Sequence, residues 1–449
     1  MSEPTTTPGA DPATTRINRD ETEVGSVFVS NYPAYSFWDE EDVPKARQAL
    51  ASPPNPDSQL GLYLHIPFCR KRCKFCYFRV YTDKNADQIQ TYLDALAREV
   101  EHYAQQPAIQ GRPLHFVYFG GGTPSYISSR HLRALVERIK DVMPWDQADE
   151  IAFECEPGTL TKAKLETIRD IGVTRLSLGL ENLNDEILHH NGRAHVSKEI
   201  YQAMPWVKEL DFDQVNVDLI AGMVGETWER WRETVQKTID LDPDTVTVYQ
   251  MELPYNTVYS KDLLSGDSEA IPLADWKTKR AWHAYAFEQF AAAGYTRSSA
   301  YTMKKTPEAR FVYRDAVWTG QDMIGAGVAS FSHMNGVHYQ NAPRWEDYLG
   351  TIDRGDLPLH RAFATNRDEQ LIRELILQLK LGAIDPAYFR AKFDADIIDR
   401  FGPVFSGLRG EGLLNFDASS VTLNDEGLMR VDQMLPDFYE AKYCNARYT

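Results

Sequence analysis

Three cysteines stand within eight residues in the stretch YLHIPFCRKRCKFCYF, residues 63–78: Cys69, Cys73 and Cys76. Thiolates are soft ligands that suit iron–sulfur centres. Three in one short loop can converge on three irons of a four-iron cluster, leaving the fourth iron open to a small molecule. Zinc is the alternative, but a structural zinc wants four closed ligands. The remaining cysteines are poorly placed to supply one: Cys155 lies in a strand-like run and Cys444 in the tail. Arg70, Lys71, Arg72 and Lys74 surround the three, so the loop reads as solvated rather than core.

Other residues invite a ligand reading. FGGGTP, Gly120 to Pro124, follows directly on an apolar run. Glycines let a ligand approach the backbone closely, although such a run is often only a turn. Glu154 and Glu156 flank Cys155 in FECEP, at the end of another apolar run, and an acidic residue there is often a cap or surface group. Asp218 sits inside the apolar VNVDLIAG and, if buried, needs a partner. By composition alone Tyr63 is a core aromatic and Arg193 a surface arginine. Gly325 and Gly327 read as turn or packing glycines.

The elements that must position these residues alternate. LYLHI, LHFVYF, EIAFECE, TRLSLGLE, QVNVDLIAG and DTVTVYQMEL read as strands, separated by helical periods such as DQIQTYLDALAREVEHYAQQ and TWERWRETVQKTIDL. Six βα units imply a parallel α/β sheet and fall short of an eight-unit barrel. The pattern alone does not separate an open barrel from a doubly wound sheet. Both fold types gather ligands at the carboxyl ends of strands, where the cysteine loop and FGGGTP lie. Residues 1–22 have almost nothing to bury and are expected to be disordered. The aromatic segment in 23–60 should pack as a cover, 61–295 form the βα core, 296–359 extend and link it, and 360–449 make a small, mostly helical domain.

Composition excludes several classes. The 449 residues hold 48 Lys+Arg against 65 Asp+Glu, a formal charge of −17 that argues against nucleic acid as the main partner. No apolar run reaches a membrane span. The N-terminus MSEPTTTPGADPATT has no secretory pattern. Five cysteines, three of them clustered, do not make a disulfide framework, so a reduced, cytoplasmic setting is expected.

The spacing C-x-x-x-C-x-x-C, with Phe75 before the last cysteine, resembles the radical S-adenosylmethionine (SAM) superfamily. The fuller string YLHIPFC…C.FC, with VSNYP near the N-terminus, resembles the HemN-like subgroup built around oxygen-independent coproporphyrinogen III oxidase. The resemblance runs from about residue 28 into the C-terminal domain. It implies a partial (β/α)6 barrel with an N-terminal covering segment, a [4Fe–4S] cluster on Cys69, Cys73 and Cys76, and SAM as cofactor. It places Gly121, Gly122 and Thr123 at the amino group of SAM. Glu154 rather than Glu156 then contacts the bound cofactor, Arg193 meets its carboxylate, Asp218 its ribose, and Tyr63 the cluster-bound molecule. Glu181 stands where relatives usually carry glutamine, and a carboxylate only accepts hydrogen bonds where an amide also donates. The resemblance also implies a second SAM, touched by Phe75, Ile220 and Phe331.

One electron into the cluster would cleave SAM, and the resulting 5′-deoxyadenosyl radical would abstract hydrogen from a small-molecule substrate. An external one-electron donor of flavodoxin or ferredoxin type is implied. The subgroup divides over which hydrogen is taken. Phe78 stands where the oxidases carry a further cysteine, some sixty residues precede the first strand, and the loop tail is YFRVYTDKN. These features favour the methylase side: transfer of a methylene or methyl carbon to an sp² carbon in natural-product biosynthesis, by methylation or cyclopropanation, with a partner methyltransferase as a further expectation. The alternatives are coproporphyrinogen III oxidation and a haem chaperone.

Overall fold

The computed structural model describes residues 22–265 and 273–444, so the expected disorder of residues 1–22 falls, but for Thr22, outside the described residues. The six apolar runs are strands: β1 (Leu60–Ile66), β2 (Leu114–Gly121), β3 (Glu150–Cys155), β4 (Arg175–Glu181), β5 (Gln214–Ala221) and β6 (Thr245–Gln250). They pair in sequence order, all parallel. Their near-continuous burial follows from having helices on one face and the barrel interior on the other. The sheet curves without closing, as a partial barrel.

The sheet is wider than the six βα units alone predict. Beyond β6 lie β7 (Thr296–Arg297) and β8 (Thr302–Lys304), with β8 antiparallel to β6. On the other side the glycine-rich QDMIGAGVASFS supplies β9 (Asp322–Ala326), parallel to β1. An antiparallel run follows: β10 (Phe331–Met334), β11 (Val337–Asn341) and β12 (Leu359–Ala364). Sequence pattern missed β9 because its glycines depress strand propensity. Gly325 is glycine because a Cβ there would lie 2.1 Å from the Phe331 carbonyl oxygen.

The C-terminal region is largely helical but also carries a three-stranded antiparallel sheet from Ala383–Ile384, Val421–Leu423 and Leu414–Phe416. Its core takes in Val29 and Tyr32 of the N-terminal segment. That segment is fastened across the barrel mouth. Gly25 N–H donates to the Leu253 carbonyl at 2.8 Å, and the backbone of Val27 and Phe28 donates to the Glu252 carboxylate. Val29 N–H donates to Asp432, and Asp39 pairs with Ala362 of β12. Among the described residues, no helix is long and apolar enough to cross a membrane.

Candidate active site

The cysteine loop hangs from the carboxyl end of β1. Gly122 N–H donates to the Ile66 carbonyl and Thr123 N–H to Phe68, which locks the loop base to the end of β2. Arg70 pairs with Glu156 at 3.0 Å and also reaches the Ala194 carbonyl, while Arg72 donates to the Cys76 and Asn256 carbonyls. These arginines therefore tie the loop down rather than merely solvating it. The Thr123 hydroxyl donates to Cys69 Sγ and Arg193 Nη1 to Cys73 Sγ, each at 3.3 Å. Burial pushes the Cys69 thiol up to about 11 and Cys76 to about 12, so both would have to give up protons to ligate a metal. Among the described residues no three Cys, His, Asp or Glu side chains converge on a single ion. Cys155 is buried in the main core and Cys444 is exposed in the tail.

The cradle beside the loop is tight. A Cβ on Gly122 would lie 2.8 Å from the Pro67 carbonyl carbon and 2.9 Å from the Ile66 oxygen. Gly121 has φ of +110°, a conformation that only glycine adopts freely. Strand alternation turns Glu154 of β3 into the barrel and Cys155 away from it. Tyr118 donates to Glu154 Oε1 at 2.7 Å, and Gly121 N–H to Oε2 at 3.2 Å. Burial raises the Glu154 carboxyl to about 7, so a cationic amino group placed beside it would draw it back to the ionised form. Glu156 is otherwise engaged: His195 Nδ1 lies 2.9 Å away and Arg70 grips the other side. Burial opposes its charge, but these partners prevail and hold it to about 2.

Further around the mouth, Glu181 ends β4 with φ of +64°, after a register shift between Gly179 and Glu181. Left-handed backbone at a non-glycine residue is a strained conformation that concentrates at ligand sites. Its carboxylate faces Arg193 at 3.7 Å, and burial raises it to about 7. Arg193 also donates to the Gly179 carbonyl, while its Nε is buried without a partner among the described residues. Asp218 on β5 accepts from Ser177 Oγ and Asn216 Nδ2, both at 3.0 Å. Tyr63 on β1 stacks on Tyr118 and has its hydroxyl 3.2 Å from His65 Nδ1. Phe75 and Ile220 pack on one apolar group with Val224, Met251, Leu253 and Tyr259. Phe331 lies apart from that group, 4.4 Å under the Tyr35 ring of the covering segment.

Sequence reasoning missed Tyr118, which orients Glu154, and His65, which faces Tyr63. Two-residue alternation along β1 and β2 was the available signal: His65 follows Tyr63 on one face, and Tyr118 precedes Gly120.

The soft thiols, the glycine cradle, the alternating carboxylates and the unpartnered Arg193 nitrogen fit a cluster and an amino-acid-like cofactor. Residues 63–238 match the Radical SAM superfamily. The chain carries a radical SAM domain there and has HemN-like relatives, and the cofactors of that superfamily are a [4Fe–4S] cluster and SAM. It is 28% identical over 407 residues to the oxygen-independent coproporphyrinogen III oxidase of Synechocystis, covering 86% of each chain. It is 25% identical over 389 residues to the heme chaperone HemW of Bacillus subtilis, covering 84% of this chain and 98% of that one. The solved coproporphyrinogen III oxidase HemN of Escherichia coli shares the fold, with a TM-score of 0.79 at 23% identity, over 92% of this chain and 96% of that one.

These relatives correct the methylase expectation. They are named as coproporphyrinogen oxidases and heme chaperones, and they match this chain along most of its length. Carbon transfer to an sp² centre and the partner methyltransferase are therefore withdrawn. Phe78, which had weighed for that reading, is 46% exposed and stacked on Tyr77 at the loop surface. An aromatic there leaves the Cys69, Cys73 and Cys76 thiols in place and does not point to a particular substrate.

Proposed function

We propose that this chain is a HemN-like radical SAM oxidoreductase that removes a hydrogen atom from a propionate side chain of a porphyrinogen, whose radical then loses CO2 to leave a vinyl group and passes its remaining electron to an external one-electron acceptor. The observation that carries this is the meeting of Cys69, Cys73 and Cys76 with Glu154, Glu181, Arg193 and Asp218 at one barrel mouth, in a chain whose full-length relatives include such oxidases. When bound, the cluster and SAM supply the hydrogen-abstracting radical, with an electron from an external donor of flavodoxin or ferredoxin type. The chain does the rest. Glu154, held by Tyr118 and Gly121, would take the amino group of SAM, beside Gly122 and Thr123. Arg193 would meet its carboxylate, with Glu181 fixing the guanidinium, and Asp218 would accept from the ribose. Tyr63 would pack against the cluster-bound molecule. Phe75, Ile220 and Phe331 would line the place of a second SAM. The covering segment excludes water that would quench a radical.

The test is anaerobic incubation of the iron-reconstituted protein with SAM, a reductant and coproporphyrinogen III. The expected result is 5′-deoxyadenosine together with carbon dioxide and a product 46 mass units lighter per propionate, roughly the loss of CO2 and two hydrogens on the cofactor-borne chemistry proposed. Formation of 5′-deoxyadenosine with the porphyrinogen untouched refutes the substrate. Tight haem binding without turnover supports instead the reading favoured by the match across 98% of the heme chaperone.

A further inference from the structure

Two of the three loop cysteines carry a side-chain donor on their sulfur, and each donor is fixed from behind. The Thr123 hydroxyl donates to Cys69 Sγ at 3.3 Å, and among the described residues that sulfur is its only hydrogen-bond partner. Thr123 is 8% exposed. Its main chain is held at both ends: Thr123 N–H donates to the Phe68 carbonyl at 2.8 Å, and Tyr126 N–H to the Thr123 carbonyl at 2.9 Å. Pro124 follows and opens the short turn Pro124–Tyr126. A β-branched side chain has few χ1 choices, so a backbone pinned in this way aims the hydroxyl. Gly122 makes the approach possible, since a Cβ there would run into the Pro67 and Ile66 backbone.

Arg193 Nη1 donates to Cys73 Sγ, also at 3.3 Å. Its guanidinium is anchored by the Gly179 carbonyl and faces Glu181 at 3.7 Å. Cys76 differs: Arg72 reaches its carbonyl, and no side chain donates to its sulfur among the described residues. A thiol is a weak acceptor, and a buried hydroxyl gains little from one. A donor facing an ionised acceptor makes a bond about twice as strong. These two donors therefore serve the thiolates that Cys69 and Cys73 become on holding a metal. They also favour whichever redox state puts more negative charge on sulfur. Uptake of one electron, with no bond made or broken, leaves a four-iron centre one charge more negative. Hydrogen bonds to the sulfurs are among the determinants of its potential.

We propose that Thr123 is a positioning residue whose hydroxyl, together with Arg193, raises the reduction potential of the cluster and so eases its reduction by the external one-electron donor. The inference rests on the reading of Cys69, Cys73 and Cys76 as cluster ligands. It deepens that reading by giving the Thr123 side chain a task at sulfur, apart from the place of its backbone beside the amino group of SAM.

The test is an anaerobic potentiometric titration of the iron-reconstituted protein, without SAM or substrate, read by absorbance and by electron paramagnetic resonance of the reduced cluster. Thr123→Val keeps the side-chain shape and removes the donor, whereas Thr123→Ser keeps the hydroxyl. Iron content and cluster absorption should match wild type in both. Thr123→Val should disfavour reduction about tenfold, which is a midpoint ~59 mV more negative for one electron. Thr123→Ser should stay within about threefold of wild type on the same scale. Arg193→Met removes a donor and a positive charge, so its midpoint should fall further; Cys155→Ala should not move it. A Thr123→Val equilibrium within about threefold of wild type overturns the proposal. So does a serine variant displaced as far as the valine variant, which would make the effect one of packing. Loss of iron from Thr123→Val assigns the hydroxyl to holding the loop and overturns it too. A wild type that takes up no four-iron cluster removes the ligand reading itself, whereas a normal cluster with an unmoved midpoint removes only the role of Thr123. No porphyrinogen is present, so the substrate reading does not enter the result.

Discussion

Replacing Asp218 by alanine isolates the ribose contact from everything else at the mouth. An ionised carboxylate offers about four lone-pair positions. Two are taken by Ser177 and Asn216, which leaves two for the vicinal hydroxyls of a ribose. The strand does not depend on the carboxylate. Asn216 stays anchored through its Oδ1, which accepts from Thr245 and Thr247 at 2.9 and 3.1 Å. Burial raises the Asp218 carboxyl above its usual range, so its removal also relieves a desolvation cost, and the unfolding midpoint should hardly move. Hydrogen bonds to a charged group contribute about 1.5–3 kcal/mol, so the dissociation constant for SAM should rise by about 10- to 150-fold. Asp218→Asn keeps one acceptor and should lose about tenfold. Anaerobic calorimetry on iron-reconstituted protein reads both values. A dissociation constant for Asp218→Ala within about threefold of wild type would remove Asp218 from the ribose site, since no lost charged hydrogen bond is that weak.

Three further outcomes follow from the same geometry. Changing Cys69, Cys73 and Cys76 together to alanine should abolish iron binding and leave the fold, because the loop is not core; Cys155→Ala and Cys444→Ala should keep the brown absorption, and its survival in the triple variant would refute the ligand set. Gly122→Ala must push a Cβ into the Pro67 and Ile66 backbone at under 3 Å, so cluster and SAM binding should fall together, and intact binding would show that the cradle yields. Glu156, held to about 2 against an ordinary 4.5, stabilises the fold above pH 4.5, and that contribution is lost as the pH falls toward 2. Glu156→Gln should therefore cost about 2 kcal/mol at pH 7 and flatten the acid limb in urea titrations, with SAM affinity unchanged. A weakened SAM affinity in this variant would exchange the parts assigned to Glu154 and Glu156.

The parts of the site that could be read from sequence are those whose chemistry is local. Three cysteines at fixed spacing, a glycine run after a strand and an aspartate in an apolar strand each carry their meaning within a few residues. Glu154 over Glu156 is a choice that the family resemblance made, not the local sequence. The widening of the sheet was not, because β9 draws its identity from β1, more than 250 residues away in sequence, and its glycines obey a close approach rather than a propensity. The identity of the reaction was not legible either. Phe78 was given weight as a missing ligand, but its side chain lies on the loop surface.

Substrate recognition is the least local property of all. Asn31, His338 and Arg373 are spread over more than 340 residues. Only the folded molecule shows that Asn31 Nδ2, His338 Nε2 and Arg373 Nη1 are buried without hydrogen-bond partners among the described residues. A cluster-bearing barrel needs the same first contacts whatever it acts upon, so those contacts cannot choose the substrate. The choice falls to the segments that close over the mouth. In this chain the covering segment and the C-terminal region meet where Arg373 Nε donates to Asn31 Oδ1.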